Sequence, residues 1–266
     1  MATYFIGDVH GCYDQLMNLL ELISYNSNTD TLWFCGDLVN KGPKSYETIK
    51  FVMDSKNTYS ILGNHDLHFL ALSQGFLPSN KSHNLEKILN SKHCNNVIEW
   101  LRFRPLTMLK ENFLLVHAGI YPTWSIETSQ KLAKEVESLL QGGAWLELLK
   151  NMYGNQPNSW EDELEGWERI RTIINIMTRM RFLSSKLELD FNKTDAELDN
   201  KQLIPWFQFV NDKMDNYSIA FGHWASLRGS LHKKEYVALD GGCVWGGKLI
   251  AYRLEDKKSF FVKNIL

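Results

Sequence analysis

The chain has 266 residues, 44% of them apolar, and a formal net charge of −2. That is enough apolar material for a sizeable core, and the near-neutral balance gives no electrostatic case for nucleic acid or an anionic membrane as an obligatory partner. The four cysteines, Cys12, Cys35, Cys94 and Cys243, lack CxxC spacing, and there is no signal peptide or apolar run of membrane-spanning length, so a soluble, cytoplasmic protein with free thiols is expected.

Thr3 to Ile6 reads as a strand, and Tyr13 to Ile23 as a helix with Leu16, Leu19, Leu20 and Ile23 at helical spacing. Thr31 to Phe34 is a second strand, Ser45 to Asp54 a second helix and Tyr59 to Leu62 a third strand, the βαβαβ order of a helix-covered sheet. From about Leu67 to Pro105 the pattern is helical, with helices at Leu85 to Leu89 and Val97 to Leu101, and Phe113 to Val116 is a fourth strand. Between Ser125 and Lys213 helix follows helix, which predicts a helical cap inserted at about 125–213 within one domain of 1–266 rather than a second folding unit. Strands return at Tyr217 to Phe221, Tyr236 to Leu239, Leu249 to Tyr252 and Phe260 to Val262.

Each of the first three strands runs into a glycine-bearing polar cluster: Gly7-Asp8-Val9-His10-Gly11, then Gly36-Asp37-Leu38-Val39-Asn40-Lys41-Gly42-Pro43, then Gly63-Asn64-His65-Asp66. If the strands are parallel, these clusters emerge together at the carboxyl edge, where open α/β sheets place ligands. His117-Ala118-Gly119 and Gly222-His223-Trp224 end later strands in the same way. Any one cluster alone is as well explained as turn chemistry. Together Asp8, His10, Asp37, Asn64, His117 and His223 supply oxygen and nitrogen donors that suit Mn²⁺, Fe²⁺, Co²⁺ or Zn²⁺, and they exceed what one catalytic ion takes while keeping a position open. Two ions are expected.

The blocks GDVHG, GDLVNKGP, GNHD, HAG and GHW, in this order, resemble the motif set of the calcineurin-like metallophosphoesterases, which include the Ser/Thr protein phosphatases. GDLVNKGP, TRMRF at Thr178 to Phe182, FGHWASL at Phe221 to Leu227 and LDGGCVWGG at Leu239 to Gly247 are similar to the symmetrical bis(5'-nucleosyl)-tetraphosphatases, or diadenosine tetraphosphatases, of bacteria. The resemblance implies an α/β fold, a calcineurin-like β-sandwich with flanking helices and a helical cap. It also implies that Asp8 and His10 hold one ion, that Asp37 bridges both, and that Asn64, His117 and His223 hold the other. Two divalent transition-metal ions, manganese first and cobalt, iron, nickel or zinc as alternatives, would activate a bridging water for in-line attack on phosphorus.

His65 matches the family's catalytic histidine. Asn40 stands where the protein phosphatases carry an aspartate that orients it, which weakens a general-acid role and suits a better leaving group such as a nucleoside diphosphate. Lys41 replaces a usual arginine and keeps the charge without the bidentate fork. Arg179 and Arg181 are candidate polyphosphate contacts, with an ordinary solvated helix face as the alternative. Trp224 and Trp245 are candidate adenine platforms, with core packing as the alternative. Asp240 reads equally as a substrate contact or a turn residue, and His68, His83, His93 and His232 as surface or helix residues.

The expected reaction is symmetrical cleavage of diadenosine tetraphosphate into two ADP, extending to related dinucleoside polyphosphates and RNA with a dinucleoside-type cap. No membrane and no obligatory protein partner is expected. A phosphoprotein Ser/Thr phosphatase is the alternative, and a non-catalytic scaffold on the same fold a weaker one.

Overall fold

The computed structural model describes residues 1–78, 84–195, 202–214, 216–233 and 235–264, so His83 and positions 196–201 of the expected cap lie outside the described residues. The chain begins β1 (Thr3–Ile6), α1 (Tyr13–Leu22), β2 (Thr31–Phe34) and α2 (Ser45–Asp54), in the order the periodicity predicts, and β3 (Thr58–Ser60) starts one residue earlier and ends two earlier than the expected Tyr59 to Leu62. It continues through α3 (Asn64–Ser73), α4 (Glu86–Leu89) and α5 (Cys94–Arg102) to a hairpin of β4 (Thr107–Lys110) and β5 (Phe113–Val116). Three helices follow, α6 (Ile126–Gln141), α7 (Trp145–Asn151) and α8 (Gly166–Arg179). Then come β6 (Phe182–Ser184), β7 (Leu189–Asp190), β8 (Leu203–Pro205), β9 (Ser218–Phe221), β10 (Tyr236–Ala238), β11 (Lys248–Arg253) and β12 (Lys258–Lys263).

Five strands form one sheet in the order β12-β11-β1-β2-β3, and four form a second in the order β10-β9-β5-β4. β1, β2 and β3 run parallel, so their carboxyl ends share one edge. β5 and β9 are likewise parallel in the second sheet. All residues of β1, β5 and β9 are buried, the signature of strands covered on both faces. Side-chain alternation explains the two coverings. Phe5 packs with Phe113, Leu115, Ala220 and Tyr252 between the sheets, while Tyr4 and Ile6 join Leu16 and Leu19 of α1 and Ile49 of α2. The Phe5 and Phe113 rings lie 5.9 Å apart across the sandwich.

The stretch expected as a purely helical cap is mixed. After Arg179 the chain leaves the helix and builds a three-stranded sheet, β7-β6-β8. These strands are two or three residues long, and their identity comes from pairing across the gap between Ser184 and Leu203 rather than from any local period. β4 was hidden for the same reason, since Thr107 to Lys110 becomes a strand by pairing with β5. Among the described residues, no helix is long and apolar enough to cross a membrane.

Candidate active site

The polar clusters emerge at the carboxyl edge as three adjacent loops. Their backbone is unusual, with His10, Asp37, Asn40, Lys41 and His223 all left-handed at φ values of 46°, 51°, 81°, 73° and 62°. Non-glycine residues take this conformation at a cost, and it recurs where side chains must be aimed at one point. Two glycines make room for carboxylates. A Cβ on Gly222 would fall 2.0 Å from Asp8 Oδ1, and one on Gly63 would fall 2.1 Å from Asp37 Oδ1.

Asp66 braces the second and third loops. Its carboxylate accepts hydrogen bonds from the backbone N–H groups of Asp37 (2.8 Å), Leu38 (3.0 Å) and Gly63 (3.0 Å). Asp37 in turn accepts the N–H of His65 at 2.8 Å, and Asp8 accepts that of His223 at 3.0 Å.

Around this frame the predicted donors converge. Asp37 Oδ2 lies 3.3 Å from His117 Nε2 and 3.5 Å from His10 Nε2, and Asn64 Oδ1 lies 3.2 Å from His117 Nε2. Among the described residues, two groups bring their donor atoms within 4.8 Å of one another: Asp8, Cys35 and His117, and His10, Asp37 and His65. His117 Nδ1 donates to the Cys35 carbonyl at 2.8 Å and His10 Nδ1 to that of Val39 at 3.3 Å. Such outer-side donation leaves Nε2 as the nitrogen of each ring turned to the cluster and able to serve as a ligand. His223 stands at the margin of the cluster. Its Nε2 donates to the Arg179 carbonyl at 3.1 Å and its ring lies 5.2 Å from that of His117, so Nδ1 is its remaining donor atom.

Three carboxylates, Asp8, Asp37 and Asp240, are each 4% exposed or less and lie within one another's electrostatic reach. Burial, with the charges of Asp240 and Asp37, pushes Asp8 well above the usual carboxylate range, and burial raises Asp240 too. Burial also opposes ionisation of Asp37, but the imidazoles of His117, His65 and His10 overcome it and hold its carboxyl well below that range. His117 loses some affinity for its proton to burial and regains more from Asp37, ending at about 10. Crowded buried acids with imidazoles among them and glycine-made gaps beside two of them are a fitting set for divalent cations.

His65 is set apart by its partner. The Asn40 carboxamide oxygen accepts the N–H of Lys41 at 2.8 Å, so its NH₂ is the group that faces His65 Nδ1 at 2.7 Å. The ring proton therefore resides on Nε2. Burial lowers the His65 pKa to about 3, which keeps the ring neutral.

Of the predicted substrate contacts, Lys41 and Arg179 line a cavity of about 370 Å³ that begins at Asn64 and His65. Arg179 is tethered to Asn175 Oδ1 (2.8 Å) and Asn155 Oδ1 (2.9 Å), and its guanidinium stacks on Phe191. Arg181 donates to the His223 carbonyl at 3.3 Å and feels Asp240, Asp8 and Asp37. Trp224 must be corrected. It is 2% exposed and packs against Phe182 and Phe207, which leaves no face for a purine. Trp245 is 64% exposed.

Residue types alone did not single out Cys35 or Tyr153, and they leave Asp240 open between a turn residue and a substrate contact. Asp240 gains its meaning from burial beside Asp8, and Cys35 from donating its thiol to Asp8 Oδ1 at 3.0 Å. Tyr153 lies in no motif and belongs to the site only through the cavity.

The profile of the Calcineurin-like phosphoesterase family matches residues 1–257. A protein of Psychromonas ingrahamii, named symmetrical bis(5'-nucleosyl)-tetraphosphatase, is 47% identical over 98% of this chain and 96% of its own. One of the same name from Nitrosococcus oceani is 44% identical over 98% and 97%. Among solved structures, one proposed to be a diadenosine tetraphosphatase superposes with a TM-score of 0.65 at 24% identity, covering 98% of this chain and 93% of that one, a likeness of fold. With its parallel-edge donor cluster and these full-length relatives, the chain belongs to the calcineurin-like phosphoesterases, in the branch of the symmetrical bis(5'-nucleosyl)-tetraphosphatases.

Proposed function

We propose that this protein hydrolyses diadenosine tetraphosphate at its central bridge to give two molecules of ADP. The observation that carries the reading is the full-length 47% identity to an enzyme of that name, on a fold whose donor cluster is chemically fit for the reaction. We assign Asp8, His10, Asp37, Asn64, His117 and His223 as the residues that would hold two divalent ions, manganese for preference, with Asp37 as the ligand both would share. When bound, the ions supply Lewis-acid activation of water and neutralise charge on the phosphoryl oxygens.

The chain's own residues do the rest. A water oxygen bonds to one inner phosphorus and gives up a proton to solvent, the bond from that phosphorus to the central bridging oxygen breaks, and the electron pair leaves on the second ADP. His65, neutral and protonated on Nε2, donates a hydrogen bond to the departing oxygen rather than acting as a strong acid. A diphosphate leaves as a stabilised anion and needs no more, whereas the alkoxide of a phosphoserine would. The Asn40 contact thus supports an anhydride substrate over a phosphoprotein. Lys41, Arg179 and Arg181 supply fixed positive charge along the polyphosphate, and Trp245 an exposed ring for a base. Related dinucleoside polyphosphates and RNA with a dinucleoside-type 5' cap present the same anhydride and belong to the proposed range.

Chromatography of the products formed with Mn²⁺ tests the reading. ADP alone is expected, and AMP with ATP would refute symmetrical cleavage. Turnover of a phosphopeptide should be far slower.

A further inference from the structure

Two hollows open beside the donor cluster and share no lining residue. The first is the cavity of about 370 Å³ that starts at Asn64 and His65 and reaches Tyr153. The second, also about 370 Å³, lies between Ala225 to Arg228 and Gly241 to Gly247 and includes Trp245. It begins just beyond His223 in one segment and just beyond Asp240 in the other. The cluster thus has a hollow adjoining its Asn64 side and another adjoining its His223 and Asp240 side.

Each hollow offers an aromatic ring and a cation. Tyr153 is 42% exposed, yet its hydroxyl is held by His68 Nδ1 at 3.1 Å and the two rings meet edge to face, so the ring is fixed while one side remains open. Arg179 stands beside it, oriented by Asn155 and Asn175. In the second hollow, Trp245 ends a short turn bracketed by the left-handed glycines Gly242 and Gly246. That turn is closed by backbone bonds from Trp245 and Gly247 to the Gly242 carbonyl. Arg228 is exposed and, among the described residues, its side chain makes no ion pair or hydrogen bond. A fixed exposed ring next to a cation is what recognises a base together with its phosphates.

We propose that the two hollows are separate nucleoside subsites, one half of the dinucleotide placing its base on Tyr153 and the other on Trp245, with the polyphosphate crossing the donor cluster between them. The proposal rests on the dinucleoside polyphosphate reading above and extends it to the residues that seat each half. The two seats are built differently, one walled by carboxamides and the other by glycine backbone. A substrate with two different bases therefore sits preferentially one way round, and the water oxygen, which forms the new bond to phosphorus, enters one product more than the other.

The test uses adenosine–uridine tetraphosphate in ¹⁸O-water, with mass spectrometry of the ADP and UDP formed by manganese-loaded protein. A parallel titration measures binding of a non-hydrolysable analogue with a methylene group at the central bridge. Unequal labelling is expected. Tyr153→Ala and Trp245→Ala should each weaken the analogue about tenfold, within the range found for loss of one stacked base, and should shift the labelling ratio in opposite directions. Arg228→Ala should shift it as Trp245→Ala does. Equal shifts, no shift, or weakened binding from only one of the two aromatic variants would overturn the two-subsite arrangement. Release of a mononucleotide with a triphosphate would instead refute symmetrical cleavage, while analogue binding would still judge the two seats.

Discussion

Asp37 draws three imidazoles toward one buried carboxylate, and that convergence dictates how the metal-free protein handles protons. His117, raised to about 10 by Asp37, is protonated at neutral pH and must lose that proton to ligate. Metal affinity should therefore increase with pH up to about 10, by as much as tenfold per unit for this one group. Calorimetric titration in buffers of different ionisation enthalpy should show proton release at pH 7, and its absence would contradict the assignment of His117. The same shift contributes stability to the metal-free fold that is complete below about 6.5 and is lost as pH rises toward about 10. Asp37→Asn should lower turnover by at least about a hundredfold, by removing the anion at the centre of the cluster. Bound metal per chain, measured by elemental analysis, should fall while the circular dichroism spectrum holds. Full metal content with full activity would refute the bridging assignment.

The loops after β1, β2 and β3 depend on close approach as much as on donor identity. Gly222 has no room for a methyl group between Asp8 and Cys35, so Gly222→Ala should displace Asp8 and cost about 1–3 kcal/mol of stability, as overpacking does. Urea unfolding and a manganese titration on the same variant would check both effects, and a variant with native affinity would show that the Asp8 loop can relax. At this scale much was legible in the residues. The bounds of β1, β2, α2 and β5 follow from short apolar runs and helical spacing, and the parallel order brings together the clusters that end those strands. What stayed hidden was decided by distant partners. β4 and β6 to β8 exist by pairing, and only the fold packs Asp240 beside the other acids and Tyr153 into the cavity next to Asn64 and His65. Trp224 and Trp245, equal as residue types, are separated only by burial.

Across the whole molecule, that separation becomes a difference in stability. Trp224 is wedged among Phe182, Phe207 and the rest of the main core, so Trp224→Ala should cost about 3–5 kcal/mol in urea unfolding. Trp245→Ala, at an exposed turn, should change it by less than about 0.5 kcal/mol. Reversed magnitudes would place Trp224 at the surface, with a face open to a base. The layer between the two sheets is a separate, smaller cluster around Phe5, Phe113, Leu115, Ala220 and Tyr252, which neither tryptophan joins.

β1, which carries the first donors at its end, is flanked by β2 on one side and by β11 on the other. Gly7 at the root of the Asp8 loop donates to the Ile250 carbonyl at 3.0 Å, and the Asp8 carboxylate itself waits for the backbone of His223. During synthesis the ribosome delivers Asp8 and His10 long before these braces exist. If Asp8 and His10 hold an ion as proposed, they stand unbraced throughout most of translation, and tight ion capture is expected late, after β11 inserts beside the first strand. Stalled chains ending before β11 should exchange manganese freely, whereas the released protein should retain it through gel filtration.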